Sequence, residues 1–337
     1  MPDKCPSGRL IGRRALLEAQ SKGVSRTSRV EKATQATPDN RCRPALAAKQ
    51  TPGKHLGARL LALKPFCRLF FAKKTMPFAT CQDGTRLYYQ CQGQGPALLL
   101  LAGQSCDHRE WDRVAADFAT HFQVIVWDYR GTGQSDKPEK PAYSTRGFAR
   151  DALAVLDACG LARAHAYGIS MGGRVAQWLA IDFPERVGAL VLGATTLGKQ
   201  GVARPASVDS ALRSKDRQAL LETSFTPAWM AHNKALVEEI AALWNAPLPP
   251  HARRMHYQAS QAHDAWDALN QIKAPTLVIH GSDDEVNPAA NVHLLVQRIA
   301  GAQLHLIPGG RHGYFEEMRE SSFATVSDFL LAHPITA

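Results

Sequence analysis

Gly168-Ile169-Ser170-Met171-Gly172 sets a hydroxyl at the centre of a G-x-S-x-G pentapeptide. An alcohol is a weak nucleophile at neutral pH and needs a base beside it. His312, in Gly309-Gly310-Arg311-His312-Gly313, is the best candidate for that base. An imidazole in that role needs a carboxylate to fix its tautomer and stabilise its charged form. Asp283 and Asp284 both follow Gly281-Ser282, and chemistry alone does not separate them. Attack of Ser170 on a carbonyl would create an oxyanion, whose hydrogen-bond donors are commonly worth about 3–4 kcal/mol each. The backbone N–H of Met171 is one candidate donor. The N–H of Gln104, in Ala102-Gly103-Gln104-Ser105, is the other.

These residues are useful only if the fold presents them together, and the flanking sequence says how. His165–Ile169 reads as a strand and Met171–Asp182 as a helix, so Ser170 falls in a tight strand-to-helix turn. Glycine at 168 and 172 removes side chains that would strike the backbone there, and Gly173 lets the helix lie close to the sheet. Ala97–Leu101 and Val124–Trp127 are short continuous apolar runs, as expected of strands buried on both faces. Thr276–His280 and Gln303–Ile307 read as strands that end just before the aspartates and His312. Loops at strand C-terminal ends are where such sheets carry their sites. His280, His293 and His305 are weaker candidates because they fall inside predicted elements. Phe78–Gln82 and Thr85–Cys91 read as a hairpin with an Asp83-Gly84 type I′ turn. Glu110–Phe118 is predicted helical. Thr145 is placed as the cap of a helix running to about Cys159, and helices are predicted over Ala289–Ile299 and Glu316–Leu331. Strand and helix alternate, which predicts an α/β architecture with a mostly parallel central sheet covered on both faces. Residues 197–270 lack strand signals and are interrupted by prolines. They read as an inserted lid of three or four short helices. Phe225, Trp229, Trp244 and Trp266 in it suggest an apolar cover, and Gly103, Phe225, Trp229 and Trp266 are the candidate pocket residues.

The formal charge of +10 suggests a nucleic-acid partner. Its placement argues otherwise: residues 1–75 hold 17 Lys+Arg against 4 Asp+Glu, and the remainder 23 against 26. The excess belongs to an N-terminal extension without helical or strand period, and residues 76–337 are expected to form the domain. Three explanations fit the extension: a start assigned upstream of Met76, a disordered basic tail, or a targeting peptide. Neither nucleic acid nor membrane is expected as a partner, and no run is long and apolar enough for a transmembrane helix. Seven scattered cysteines without a C-x-x-C pair argue for reduced thiols in a cytoplasmic setting and against zinc. Gly131-Thr132-Gly133 begins like a dinucleotide fingerprint, but Asp136 stands where the third glycine should be. No phosphate-loop motif is present.

The segments LLLLAGQS, VIVWDYRGTGQSD, YGISMGGRVAQWLA, FPERVGALVLGATT, APTLVIHGSDDEVNP and IPGGRHGYF together resemble the α/β-hydrolase superfamily over residues 78–333. The helix with AQWLA is similar to that of 3-oxoadipate enol-lactonases and neighbouring carboxylesterases. The resemblance implies an α/β-hydrolase fold with a lid, and a metal-free and cofactor-free serine hydrolase acting on a small carboxylic ester or lactone. It implies Ser170 as nucleophile, His312 as base and, as fourth residue of a G-x-x-D segment, Asp284 as the acid. Ala102 departs from the family, where many members have His. Haloalkane dehalogenases would need Asp at 170. An Arg and a Trp usual in the C–C hydrolase branch find no counterpart. Alternatives are a C–C or thioester hydrolase, or a hydrolase-fold receptor for a small ligand with little turnover.

Overall fold

The computed structural model describes residues 77–213 and 217–335. The basic extension 1–75, Met76 and the cysteines at 5, 42 and 67 lie outside the described residues.

Eight strands form one sheet: β1 (Phe78–Thr80), β2 (Arg86–Gln92), β3 (Ala97–Leu101), β4 (Gln123–Trp127), β5 (Ala164–Ile169), β6 (Val187–Gly193), β7 (Thr276–Gly281) and β8 (Gln303–Ile307). Their order is β1-β2-β4-β3-β5-β6-β7-β8. β1 and β2 are antiparallel to their neighbours, and every pairing from β4 to β8 is parallel. Every residue of β3, β5, β6 and β7 is buried, which explains their unbroken apolar texture. Helices cover the sheet: α1 (Asp112–Phe118), α2 (Thr145–Ala158), α3 (Met171–Asp182), α9 (Asn291–Arg298), α10 (Tyr314–Glu317) and α11 (Arg319–Leu331). Between β6 and β7 stand α4 (Ala206–Arg213), α5 (Arg217–Ser224), α6 (Pro227–His232), α7 (Lys234–Trp244) and α8 (Pro250–Gln261), followed by a 3-10 turn at Trp266–Gln271.

The order of strands decides what can meet. β3 and β5 are neighbours with Leu101 opposite Gly168, so the loops after them lie side by side. β7 and β8 are neighbours with Gly281 opposite Ile307, which does the same for the aspartate and histidine loops.

Local details differ from the sequence reading. The β1–β2 turn is not type I′, because Gly84 has positive φ (82°) and Asp83 does not. Gly84 N–H reaches Cys81 O (2.9 Å) and Cys81 N–H reaches Thr85 O (2.9 Å), giving a three-residue loop. Asp83 is held instead by Thr85 N–H (3.0 Å) and Arg130 (2.7 Å). Ser144, not Thr145, caps α2: its hydroxyl accepts from Gly147 N–H (2.9 Å). The final predicted helix is two, with Met318 outside helical geometry (ψ 44°). The insertion holds five helices among its described residues rather than three or four; its prolines begin helices at 227 and 250, where a missing N–H costs nothing.

Candidate active site

Ser170 has φ 56° and ψ −116°, a conformation disfavoured for a residue with a Cβ. The surroundings hold it there. Its N–H donates to Gly193 O (3.0 Å), and its carbonyl accepts from Thr195 Oγ1 (2.7 Å). The glycines around it have no room to be anything else. A Cβ on Gly168 would lie 2.3 Å from Gly172 O, one on Gly172 2.0 Å from Leu101 O, and one on Gly173 2.6 Å from Thr195 Cβ. Close packing of α3 on β5, β3 and the end of β6 therefore forces the turn that raises Ser170 at the N-terminus of α3, where the peptide dipoles favour negative charge.

On the same C-terminal rim of the sheet, His312 Nδ1 lies 2.9 Å from Asp284 Oδ2. A carboxylate only accepts, so Nδ1 carries the proton and Nε2 is left as the basic nitrogen. Of the two adjacent aspartates, Asp284 is buried and makes this contact. Asp283 is exposed and accepts from Ser282 Oγ (2.7 Å). Asp284 has further partners that sequence patterns did not reveal. Asn287 N–H donates to Oδ1 (2.9 Å). His280 Nε2 lies 3.1 Å from Oδ2 and 2.7 Å from Asn287 O. Burial by itself would raise the pKa of Asp284, but the charge and hydrogen bonds of His312 and His280 outweigh it and hold the carboxyl below the usual range. Asn287 continues the network, donating from Nδ2 to Ala194 O (2.6 Å) and accepting from Arg174 Nη2 (3.1 Å). Arg174 is buried on α3 and reaches Ser260 on α8 (2.7 and 2.8 Å). His280 and Arg174 each sit inside a regular element, so their spacing resembles core positions and carries no signal of this role.

The loop after β3 is braced on three sides. Tyr129 Oη donates to Ala102 O (3.1 Å), Gly103 N–H donates to Glu110 Oε2 (2.6 Å), and Cys106 Sγ lies 3.7 Å from Gln104 O. Burial pushes the Glu110 carboxyl up. Among the described residues, neither Gln104 N–H nor Met171 N–H has an acceptor, so both stay available to a ligand. Asp107, His108 and Asp128 bring potential metal-ligand atoms together. Their atoms are already engaged: Asp128 Oδ1 accepts from His108 N–H (2.7 Å), its Oδ2 from Gln134 N–H (2.7 Å), and Asp107 grips Arg109 (2.6 Å).

A sequence profile of the α/β hydrolase fold matches residues 96–317. The chain belongs to the α/β-hydrolase family. A protein of Azorhizobium caulinodans, provisionally named the carbamate hydrolase RutD, is 31% identical over 255 residues, 71% of this chain and 92% of the relative. A 3-oxoadipate enol-lactonase of Acinetobacter baylyi is 31% identical over 247 residues, 71% and 90% of the two chains. The enol-lactonase structure from Burkholderia xenovorans superposes with a TM-score of 0.68 at 28% identity, covering 76% of this chain and 100% of the other.

Helices α5 to α7 carry an aromatic cluster of their own. Phe225 stacks on Trp229 (4.8 Å) and Trp244 (5.9 Å) in a cluster separate from the main core. That cluster is tied to the His312 loop: Gly313 N–H donates to Ser224 O (2.8 Å), Thr226 N–H donates to Glu317 (2.9 Å), and Arg311 reaches Glu222 O. A Cβ on Gly313 would strike Phe225 at 2.3 Å. Trp266 stands apart from the other three rings, under Arg298 (4.4 Å) in the main body. A cavity of about 590 Å³ opens between α4, α5 and the acid loop, lined by Val208, Glu222, Thr223, Asp283 and Arg311 among others. The pocket candidates Gly103, Phe225, Trp229 and Trp266 are not among its lining residues. No described helix is long and apolar enough to cross a membrane.

Proposed function

We propose that this chain is a serine hydrolase cleaving a small carboxylic ester or lactone, with Ser170 as nucleophile, His312 as general base and Asp284 as its acid. The observation that carries this reading is the 2.9 Å His312–Asp284 contact on the same rim as a serine held at positive φ. Ser170 Oγ attacks the carbonyl carbon as His312 Nε2 takes its proton. The charge on the carbonyl oxygen is met by the N–H groups of Met171 and Gln104. Collapse expels the alcohol oxygen, which receives the proton from His312. Water then attacks the acyl-enzyme with His312 again as base, and the acid leaves. Asp284 stays ionised throughout and stabilises the imidazolium. No step needs a metal or a cofactor.

The relative named for carbamate hydrolysis supports a second reading, in which the same acyl chemistry acts on a carbamate. A substrate panel separates them: p-nitrophenyl acetate and butyrate, lactones graded by ring size, and aryl carbamates. The highest kcat/KM is expected on esters or lactones; a carbamate preferred by tenfold would favour the second reading. Ser170→Ala should keep its circular dichroism and lose at least about 10³-fold in kcat. Activity within tenfold of wild type would rule Ser170 out as nucleophile.

A further inference from the structure

We propose that Cys91 and Cys159 form an oxidisable pair, a site where a peroxide or a small-molecule disulfide converts two thiols into one intramolecular disulfide joining β2 to the end of α2. The two residues are 68 positions apart, yet their sulfurs lie 3.4 Å from each other. A disulfide needs about 2.05 Å, so roughly 1.3 Å of closure remains, within reach of small torsional changes. Among the described residues no other two thiols are this close. Cys81 is buried and its thiol meets Asp151 (3.3 Å), and Cys106 faces Gln104 O. Cys91 therefore does not pair with Cys81, which lies opposite Thr85 in the hairpin. Pleating puts Tyr89 and Cys91 on one face of β2, and both meet the end of α2. Tyr89 Oη reaches Ala158 O (3.5 Å), the residue just before Cys159. The last residue of α2 is thus fixed beside the thiol it precedes.

The environment assigns the two sulfurs different parts. Cys91 is exposed, where an oxidant can reach it, and Cys159 is half-buried. The hydrogen bond shared by the two sulfurs lowers the pKa of Cys91 and, with burial, raises that of Cys159. Cys91 attacks first. With hydrogen peroxide, its thiolate bonds to one oxygen, the O–O bond breaks, and the departing hydroxide takes a proton from solvent, leaving a sulfenic acid and one water. Cys159 then attacks the Cys91 sulfur, the S–O bond breaks, and a second water leaves with its proton. With a disulfide oxidant, two exchange steps release two small thiols instead. The link lies at the N-terminal edge of the parallel strands, since Gln92 pairs with Val124 at the start of β4. The Ser170, Asp284 and His312 loops occupy the other edge.

The full-length protein, reduced and then treated with hydrogen peroxide or oxidised glutathione, is digested without reductant and mapped by mass spectrometry. A peptide linked through Cys91 and Cys159, lacking two hydrogens and reversed by dithiothreitol, is expected. Cys159→Ser should leave Cys91 as a sulfenic acid or a glutathione adduct. The oxidised wild type should melt about 5 °C or more above the reduced form, because the link closes a long loop. Absence of that peptide would overturn the proposal, as would a Cys91 link to Cys5, Cys42 or Cys67. A lower melting temperature on oxidation would overturn the claim that the fold holds these sulfurs in bonding position.

Discussion

Around Ser170, each missing Cβ corresponds to a backbone or branched-side-chain atom of a neighbouring element. Gly172 faces Leu101 O and Gly173 faces Thr195. From α5 to α7, the nearest equivalent is Gly313 against the ring of Phe225, and the rest is a small satellite cluster with stacked aromatic rings, whereas α8 packs into the main core. The first region is rigid because its contacts are between parts of the chain that cannot rotate away. The second is held by rings that can repack and by a few hydrogen bonds to the histidine loop. Chemistry that needs an accurately placed hydroxyl belongs on the first kind of support.

The comparison is broken or sharpened most strongly at the acid. Asp284→Asn should lower kcat by about 10³-fold or more, because the imidazolium loses its buried partner. Asp283→Asn, on the exposed neighbour, should stay within a few fold. The reverse order in steady-state assays would mean that Asp283 serves His312. Gly172→Ala comes next. Its Cβ would sit 2.0 Å from Leu101 O, so the variant should lose more than about 4 kcal/mol or fail to fold. A stable, active Gly172→Ala enzyme would show that the turn is not rigid.

Phe225→Ala tests the cover. Truncating a buried phenylalanine removes about 3 kcal/mol of packing, and Phe225 is 1% exposed. The loss should be local: amide exchange should quicken in α5 to α7 and stay unchanged in β5 and α3. A uniform increase would mean that the two regions unfold as one unit.

The smallest effect concerns pH. Burial raises Glu316 from its ordinary 4.5 to about 7, despite Arg113 at 3.5 Å. Between those values the folded protein keeps a proton that the unfolded chain has lost. The folded state is therefore favoured less as pH rises through 7, by about 2.5 kcal/mol between pH 5 and pH 8. Glu316→Gln should remove that decline in a series of melts from pH 5 to 8. A parallel pH profile for both proteins would place the titration elsewhere.

Much of the scaffold was legible because burial leaves a direct trace in composition. β3 reads ALLLL, and both its faces are covered. The helix from Met171 to Asp182 has the predicted ends, since a forced turn precedes it and a proline follows it. The hairpin turn was misjudged because Asp83 answers to Arg130, 47 residues away, rather than to the local preference of Asp-Gly. The aromatic residues of the insertion looked alike in sequence. Only three of them stack together, because Trp266 lies beyond the end of α8 and packs into the main body.

By itself the sequence determined where glycine is required, which segments are buried on both sides, and the chain order of Ser170, Asp284 and His312. Those properties depend on neighbours along the chain and on composition within a few residues. The tertiary structure decided that His280 shares Asp284 with His312, that Arg174 ties α3 through Asn287 to the acid loop, and that Cys91 meets Cys159. Each of these is a contact between residues that strand order and helix packing bring together from distant positions. No local period or propensity records such a meeting.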